Sequence, residues 1–362
     1  DQHRFAEVFA SLKRAPRHLA RRIAELPGVE TVETRVLATL TVDIPDFPEP
    51  ISGQLVSLPD DGQAQLNRLY VREGRLIAPG RDDEVIVSEA FATAHALRPG
   101  DLLRVIINGR RKTLTIVGTA LSPEYIYQIQ PGALFPDYKR YGIFWMGLNP
   151  LSAAYDMEGA FNNVVLTLRP HHSLADVLER LDHLLDPYGG LGAYGREHQL
   201  SHQYLSSELQ QLENMAMLFP VIFLGVAAFL LKVVISRLLS LQREQIAALK
   251  AFGYHNRAVA WHYLKLALLI VLIGMVIGVA GGGWLGRGLA SLYQDFFRFP
   301  YLQYRLEFGV VMAAGAISVA AATLGVWQAV RRAGRLPPAQ DLPPERPARS
   351  RRSWMERWGA QR

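Results

Sequence analysis

The chain of 362 residues contains no cysteine. Disulfides, thiolate metal sites and cysteine nucleophiles are therefore excluded, while the compartment is left open. No Gly-Lys pair occurs, so a Walker A phosphate loop is absent and ATP cannot be cradled in that way by this chain. Neither Gly-x-Ser-x-Gly nor His-Glu-x-x-His is present, which removes the nucleophile elbow and the helical zinc motif. Unbalanced charge is confined to one segment. From Arg331 to Arg362 nine Arg face only Asp341, Glu345 and Glu356, a surplus equal to the formal net charge of +6 for the whole chain. The neutral remainder argues against a nucleic-acid-binding body. No hydrophobic targeting run follows Asp1, and the chain is expected to be a fragment or processed piece of a larger protein.

What the sequence has in quantity is apolar runs, with 49% hydrophobic residues. Met215–Leu231 carries no charge until Lys232, Leu266–Gly286 is uncharged between Lys265 and Arg287, and Phe308–Val330 is uncharged between Glu307 and Arg331. Each covers ~30 Å of hydrocarbon at ~1.5 Å per residue, so three membrane spans are expected at about 214–236, 264–286 and 308–330. The loop after the first span holds Lys232, Arg237, Arg243, Lys250, Arg257 and Lys265 against Glu244 alone, which places it in the cytoplasm. Residues up to about Asn214 and the Tyr293–Tyr304 loop then lie outside, and the Arg-rich tail at 336–362 lies inside. In that tail, Trp354 and Trp358 among arginines suit an interfacial elbow, or else a disordered basic tail.

Directly after the first span, residues 238–252 show an amphipathic helical pattern. Leu238, Leu241, Ala248, Leu249 and Phe252 share one face, Arg243, Lys250 and the apolar knob Ile246 stand on the other, and Gly253 closes the helix. Such a helix docks on lipid headgroups or on a protein. In the second span Gly274, Gly278, Gly282 and Gly286 recur every four residues, and Ala321 and Gly325 do so in the third. These small faces suit close helix packing within the chain, or a subunit interface.

The first 204 residues read as an aqueous α+β domain. Apolar spacing from Arg4 to Glu25 predicts two short helices. Strands are expected at Val29–Ile44, Ile51–Leu58 and Asn163–Leu168, a helix at Leu174–Leu185, and a glycine-rich loop at Tyr188–Gly195. Within about 70–130 lies an inserted β-rich subdomain, whose hairpin joins Leu102–Ile107 to Lys112–Val117 through Asn108-Gly109. His198 and His202 stand four apart but lack further ligands at suitable spacing, so no metal site is expected. From Leu205 to Asn214 the pattern is helical again and runs into the first span, as a stalk.

Arg243-Glu-Gln-Ile-Ala-Ala-Leu-Lys-Ala-Phe-Gly253, Glu84-Val-Ile-Val-Ser-Glu-Ala and Pro99-Gly-Asp-Leu, in this order of parts, resemble the FtsX-like (MacB-type) permease subunits of ABC transporters. In the coupling segment Glu244 and Gln245 are shifted by one against the commoner order. The resemblance implies a MacB-like α+β extracytoplasmic domain joined by a helical stalk to a membrane domain, here stalk and membrane domain at 205–335 with three transmembrane helices, in the bacterial inner membrane. It implies a permease rather than an enzyme, moved by a separate cytoplasmic ABC ATPase that binds ATP and Mg. Arg243, Glu244, Ile246, Leu249, Lys250, Phe252 and Gly253 become the ATPase-coupling helix. Gly274, Gly278, Gly282 and Gly286 become a packing face, with a second permease half or a homodimer as partner. The implied work is export or extraction of a hydrophobic substrate or lipoprotein, with an extracytoplasmic adaptor or cargo. The alternatives are a transmembrane signalling scaffold that regulates a cell-wall hydrolase, and a membrane-tethered enzyme.

Overall fold

The computed structural model describes residues 3–297, apart from positions 46, 48, 50, 63 and 134, and residues 304–334. The chain divides into two units, Asp1–Leu212 with Gly288–Gln303, and Glu213–Arg287 with Tyr304–Arg362.

The first unit opens on a strand where a helix was expected: β1 (Val8–Pro16), followed by α1 (Leu19–Ala24) and β2 (Val29–Arg35). Val8, Ala10, Leu12 and Ala15 enter one core, while Phe9 enters another with Ala6, Leu66 and Val165. A strand buried on both faces leaves a continuous apolar run, and such a run imitates helical spacing.

Seven strands and two helices follow: β3 (Leu37–Asp43), β4 (Ile51–Leu58), β5 (Tyr70–Gly74), β6 (Glu84–Ser88), α2 (Glu89–Ala94), β7 (Leu102–Ile107), β8 (Arg110–Leu121), β9 (Tyr141–Gly147) and α3 (Leu148–Ala154). They form one sheet in the order β5-β8-β6-β9-β4-β3-β7, and β7 also pairs with β8, so the sheet closes on itself. Closure is possible because β8 is long: it pairs with β7 over Arg110–Thr115 and with β5 over Gly118–Leu121. Closing removes most of the unpaired edge that an open sheet would expose. At the β7–β8 turn Asn108 and Gly109 have φ of 46° and 74°, the positive pair that a primed two-residue turn requires. β9 is buried along its whole length. Phe144 and Met146 face the core shared with Leu55 and Val105, and Tyr141, Ile143 and Trp145 face the one shared with Ile86 and Val117.

The chain then returns to its opening sheet through β10 (Ala160–Leu168), α4 (Leu174–Leu185) and β11 (Gly190–Gly195). The order β11-β1-β10-β2, antiparallel throughout, makes two interleaved β-α-β halves with α1 and α4 over one core. The glycine-rich stretch is therefore a strand rather than a loop. Its pairing with β1 supplies an order that small residues do not announce by themselves. The closed sheet is inserted between β2 and β10, and β3, β4 and β9, outside residues 70–130, complete it.

Four helices remain: α5 (Leu200–Leu241), α6 (Arg243–Ala251), α7 (Asn256–Phe297) and α8 (Phe308–Gly334). Among the described residues three stretches are long and apolar enough to cross a membrane, Leu200–Leu241, Arg257–Gln294 and Phe308–Trp327. Pro220 lies inside α5 and removes one helical hydrogen bond without ending the helix. The tail with Trp354 and Trp358 lies outside the described residues.

The two sheets of the first unit are joined by a buried ion pair. Arg35, at the end of β2, donates to Glu124 over 2.6 and 2.9 Å and to Asn163 Oδ1 over 3.0 and 2.7 Å. Asn67 Nδ2 donates to the same carboxylate at 2.9 Å. A lone charge in this position costs much more than the pair. Replacing Glu124 by Leu is expected to destabilise the chain by ~3–5 kcal/mol in chemical unfolding, because Arg35 is left unpaired. The double variant Arg35→Met/Glu124→Leu should recover most of that loss.

A second carboxylate, the buried Glu84, opens β6 and receives Arg75 over 2.8 and 2.7 Å and the amide of Ala78 at 2.9 Å. The Arg75 hydrogen bonds, outweighing burial, hold its pKa below the ordinary 4.5. Its contribution to stability is complete above pH 4.5 and is lost as pH falls through the lowered value. Glu84→Gln should lower Tm at pH 7, and the gap to the parent chain should close as thermal unfolding is repeated at progressively lower pH, beginning below 4.5.

Candidate functional site

The expected coupling segment forms an elbow. α5 ends at Leu241, Gln242 makes the turn, and α6 begins at once. Gln242 receives the amide of Ile246 at 2.9 Å and donates its own to Leu238 O at 3.0 Å, so backbone hydrogen bonding continues through the bend. Tyr263 Oη, on α7, donates to Gln242 Oε1 at 2.5 Å and ties the bend to the next helix. Glu244 sits in the first turn of α6, where an acidic side chain complements the helix dipole. The far end is closed by Gly253 at φ 93°. The amide of Tyr254, three residues beyond the helix, bonds to Leu249 O, the third residue from its end, at 3.1 Å, which is the Schellman arrangement.

The faces of α6 differ from the sequence expectation. Ile246 is half-buried and packs against Ile235, Leu239, Tyr263, Ala267 and Val326, so it is an anchor rather than an exposed knob. Leu249 and Phe252, read as sharing the opposite face, are 43% and 84% exposed. The side chains of Arg243 and Lys250 lie outside the described residues.

Gly274, Gly278 and Gly282 line an apolar groove of about 480 Å³ with Leu224, Ala228 and Val310. A Cβ added at any of these three would meet nothing within 4 Å, so they do not mark a close helix contact inside this chain. The fourth does, since a Cβ on Gly286 would lie 2.5 Å from the Tyr304 ring. The tight approach of α7 to α8 falls instead at Gly315, where a Cβ would meet Met275 Sδ at 2.8 Å. Spacing identifies a bare helix face but not its occupant.

The root of α5 carries a clamp that the sequence reading missed. Gln199 is buried; its Nε2 donates to Glu124 O at 2.7 Å, and its Oε1 accepts the His202 amide at 2.8 Å, capping the helix. Ser201 Oγ donates to Tyr127 O at 3.0 Å and accepts from Tyr127 N at 3.1 Å, and Tyr127 stacks on Tyr204 at 4.6 Å. On the other side Arg196 Nε donates to Ala6 O at 2.9 Å and its guanidinium lies 4.9 Å over the Phe5 ring. The first turn of the helix is thus gripped by the segment that leaves β8 and by the one that enters β1. Only a polar residue ahead of a helical run signals the cap locally; its partners are remote in sequence. His202 packs on Phe5 at 6.2 Å, and His198 lies 4.0 Å from Glu197.

No curated protein matches this chain. Among solved structures, the extracellular domain of the noncanonic ABC-type transporter YknZ from Gram-positive bacteria is similar at 13% identity and a TM-score of 0.36, covering 52% of this chain and 98% of that one. The periplasmic region of MacB from Actinobacillus actinomycetemcomitans is similar at 8% identity and a TM-score of 0.35, covering 58% and 95%. The match to a protein family falls on the apolar helices: residues 217–338, about a third of the chain, match the model of the FtsX-like permease C-terminal family.

Proposed function

We propose that this chain is the permease subunit of an ABC-type transporter that couples nucleotide turnover by a separate cytoplasmic ATPase to movement of its outer domain. ATP and Mg are held by that partner. The observation that carries the reading is α5, one helix of 42 residues secured at both ends. At its root Gln199 and Ser201 bind it to the aqueous domain, and at its foot Gln242 is held by Tyr263. A helix joined without a flexible linker transmits displacement, whereas a coil absorbs it.

In this reading the basic loop with α6 lies in the cytoplasm, and residues 1–199 lie on the outer face of the bacterial inner membrane. The exposed Leu249 and Phe252 enter a groove of the ATPase, and Ile246 passes their displacement into the helices it packs against. The open groove at Gly274, Gly278 and Gly282 receives a second permease half or a second copy of this chain. The work done outside is extraction or export of a hydrophobic substrate or lipoprotein.

Purification of the ATPase with the full chain from membranes tests this. Phe252→Asp is expected to reduce the recovered ATPase at least tenfold while thermal stability in detergent is kept, since a charge then replaces an exposed apolar contact. Ile246→Asp should instead lower the stability of the helices. Undiminished recovery with Phe252→Asp/Leu249→Asp, or no nucleotide-hydrolysing partner at all, would refute the proposal. Gly253→Val should cost ~1–2 kcal/mol locally, because a branched side chain is strained at positive φ. The readout is faster hydrogen exchange at the Phe252 and Tyr254 amides.

A further inference from the structure

A cavity of about 920 Å³ lies in the first unit. Its walls come from Arg17 after β1, the 77–82 loop, the β7–β8 hairpin and α3. Two of its lining groups are anomalous. Ser152 is 2% exposed, yet its Oγ has no hydrogen-bond partner, and Arg17 Nη2 is likewise buried and unpartnered. Buried polar groups in folded proteins are nearly always bonded, and each orphan costs ~1–3 kcal/mol. Both groups belong to residues that line the same cavity.

The charges around the cavity narrow its nature. Arg81 is occupied by Asp83 at 2.8 Å, Lys112 by the Asp82 carbonyl at 2.6 Å, and Asp60 by the Asn149 amide at 3.2 Å. Arg110 and Arg111, on the exposed end of the hairpin, have no ion pair among the described residues and line the same space. The Asp82 carboxylate also lies 3.6 Å from Lys112 Nζ, and Asp60 and Glu158 are the remaining acids on the wall. Three guanidinium groups and a hydroxyl donor are thus set against two exposed carboxylates. Guanidinium forks match the oxygens of a phosphoryl group in geometry as well as charge.

We infer that this cavity binds a phosphoryl group carried on a polar organic body, with Arg17 and Ser152 as its inner donors and Arg110 and Arg111 as its outer ones. Neither the transport reading nor the ATPase enters this inference. The shared chemistry is found in soluble phosphate monoesters and in anionic lipid headgroups.

The test is calorimetric titration of the full chain in neutral detergent with glycerol 1-phosphate, and in phosphatidylcholine nanodiscs with and without phosphatidylglycerol, at low salt. Saturable binding of the monoester identifies a soluble ligand, and binding only with phosphatidylglycerol identifies a headgroup; either supports the site. Arg17→Gln is expected to weaken binding at least tenfold, and Ser152→Ala several-fold. Without ligand, Ser152→Ala should leave Tm unchanged or raise it, because an unsatisfied hydroxyl is removed. Should Arg17→Gln misfold, Arg110→Gln/Arg111→Gln on the exposed hairpin must still weaken binding. Absence of saturable binding to both probes, or unaltered affinity in these variants, overturns the site.

Discussion

The guanidinium of Arg35 is buried where the two sheets of the first unit meet, and a buried cation without an anion is too costly to persist. Its partner Glu124 comes from the segment leaving the long strand β8, so the closed sheet must be held against the four-stranded one for the charge to be met. The same short segment then receives Gln199 and Ser201 at the first turn of α5. One electrostatic requirement therefore fixes the mutual placement of both sheets and the root of the stalk. Asn163 and Asn67 complete the network, leaving few lone pairs or protons unmet at its centre.

At the other end of α5 the constraint is different. Among the apolar helices the backbone is satisfied within each helix, and what must be managed is the place where one ends and the next begins. The elbow does this with side-chain and backbone partners together: Tyr263 on Gln242, and the reversed hydrogen bonds at Gly253. Ile246 then secures α6 to the long apolar helices, while Leu249 and Phe252 are left on the surface.

Much of the architecture was legible from the residues. The three apolar runs, the Asn108-Gly109 hairpin, the helix at Leu174–Leu185 and the glycine that closes α6 each depend on neighbours in sequence, and local chemistry was enough to read them. The opening strand was misread because Val8, Phe9 and Leu12 obey helical spacing when both faces of a strand are buried. The glycine-rich stretch at 190–195 was misread as a loop because its order comes from β1. On α6 the composition of the coupling segment was legible but the assignment of its faces was not, since Ile246 is covered by residues such as Tyr263 and Val326 that are remote in sequence. The glycine stripe was visible as a pattern, yet only coordinates distinguish an open groove at Gly274–Gly282 from the contact at Gly286.

By itself the sequence determined where the chain is apolar enough to leave water, where it carries charge, and where turns and helix ends fall, because these follow from residues within one or two turns of each other. Tertiary structure alone decided which strands are buried on both faces, which buried charge meets which, and which apolar side chains of the elbow remain exposed. Those outcomes depend on pairs such as Arg35 and Glu124 or Gln242 and Tyr263, whose separation along the chain carries no local signal.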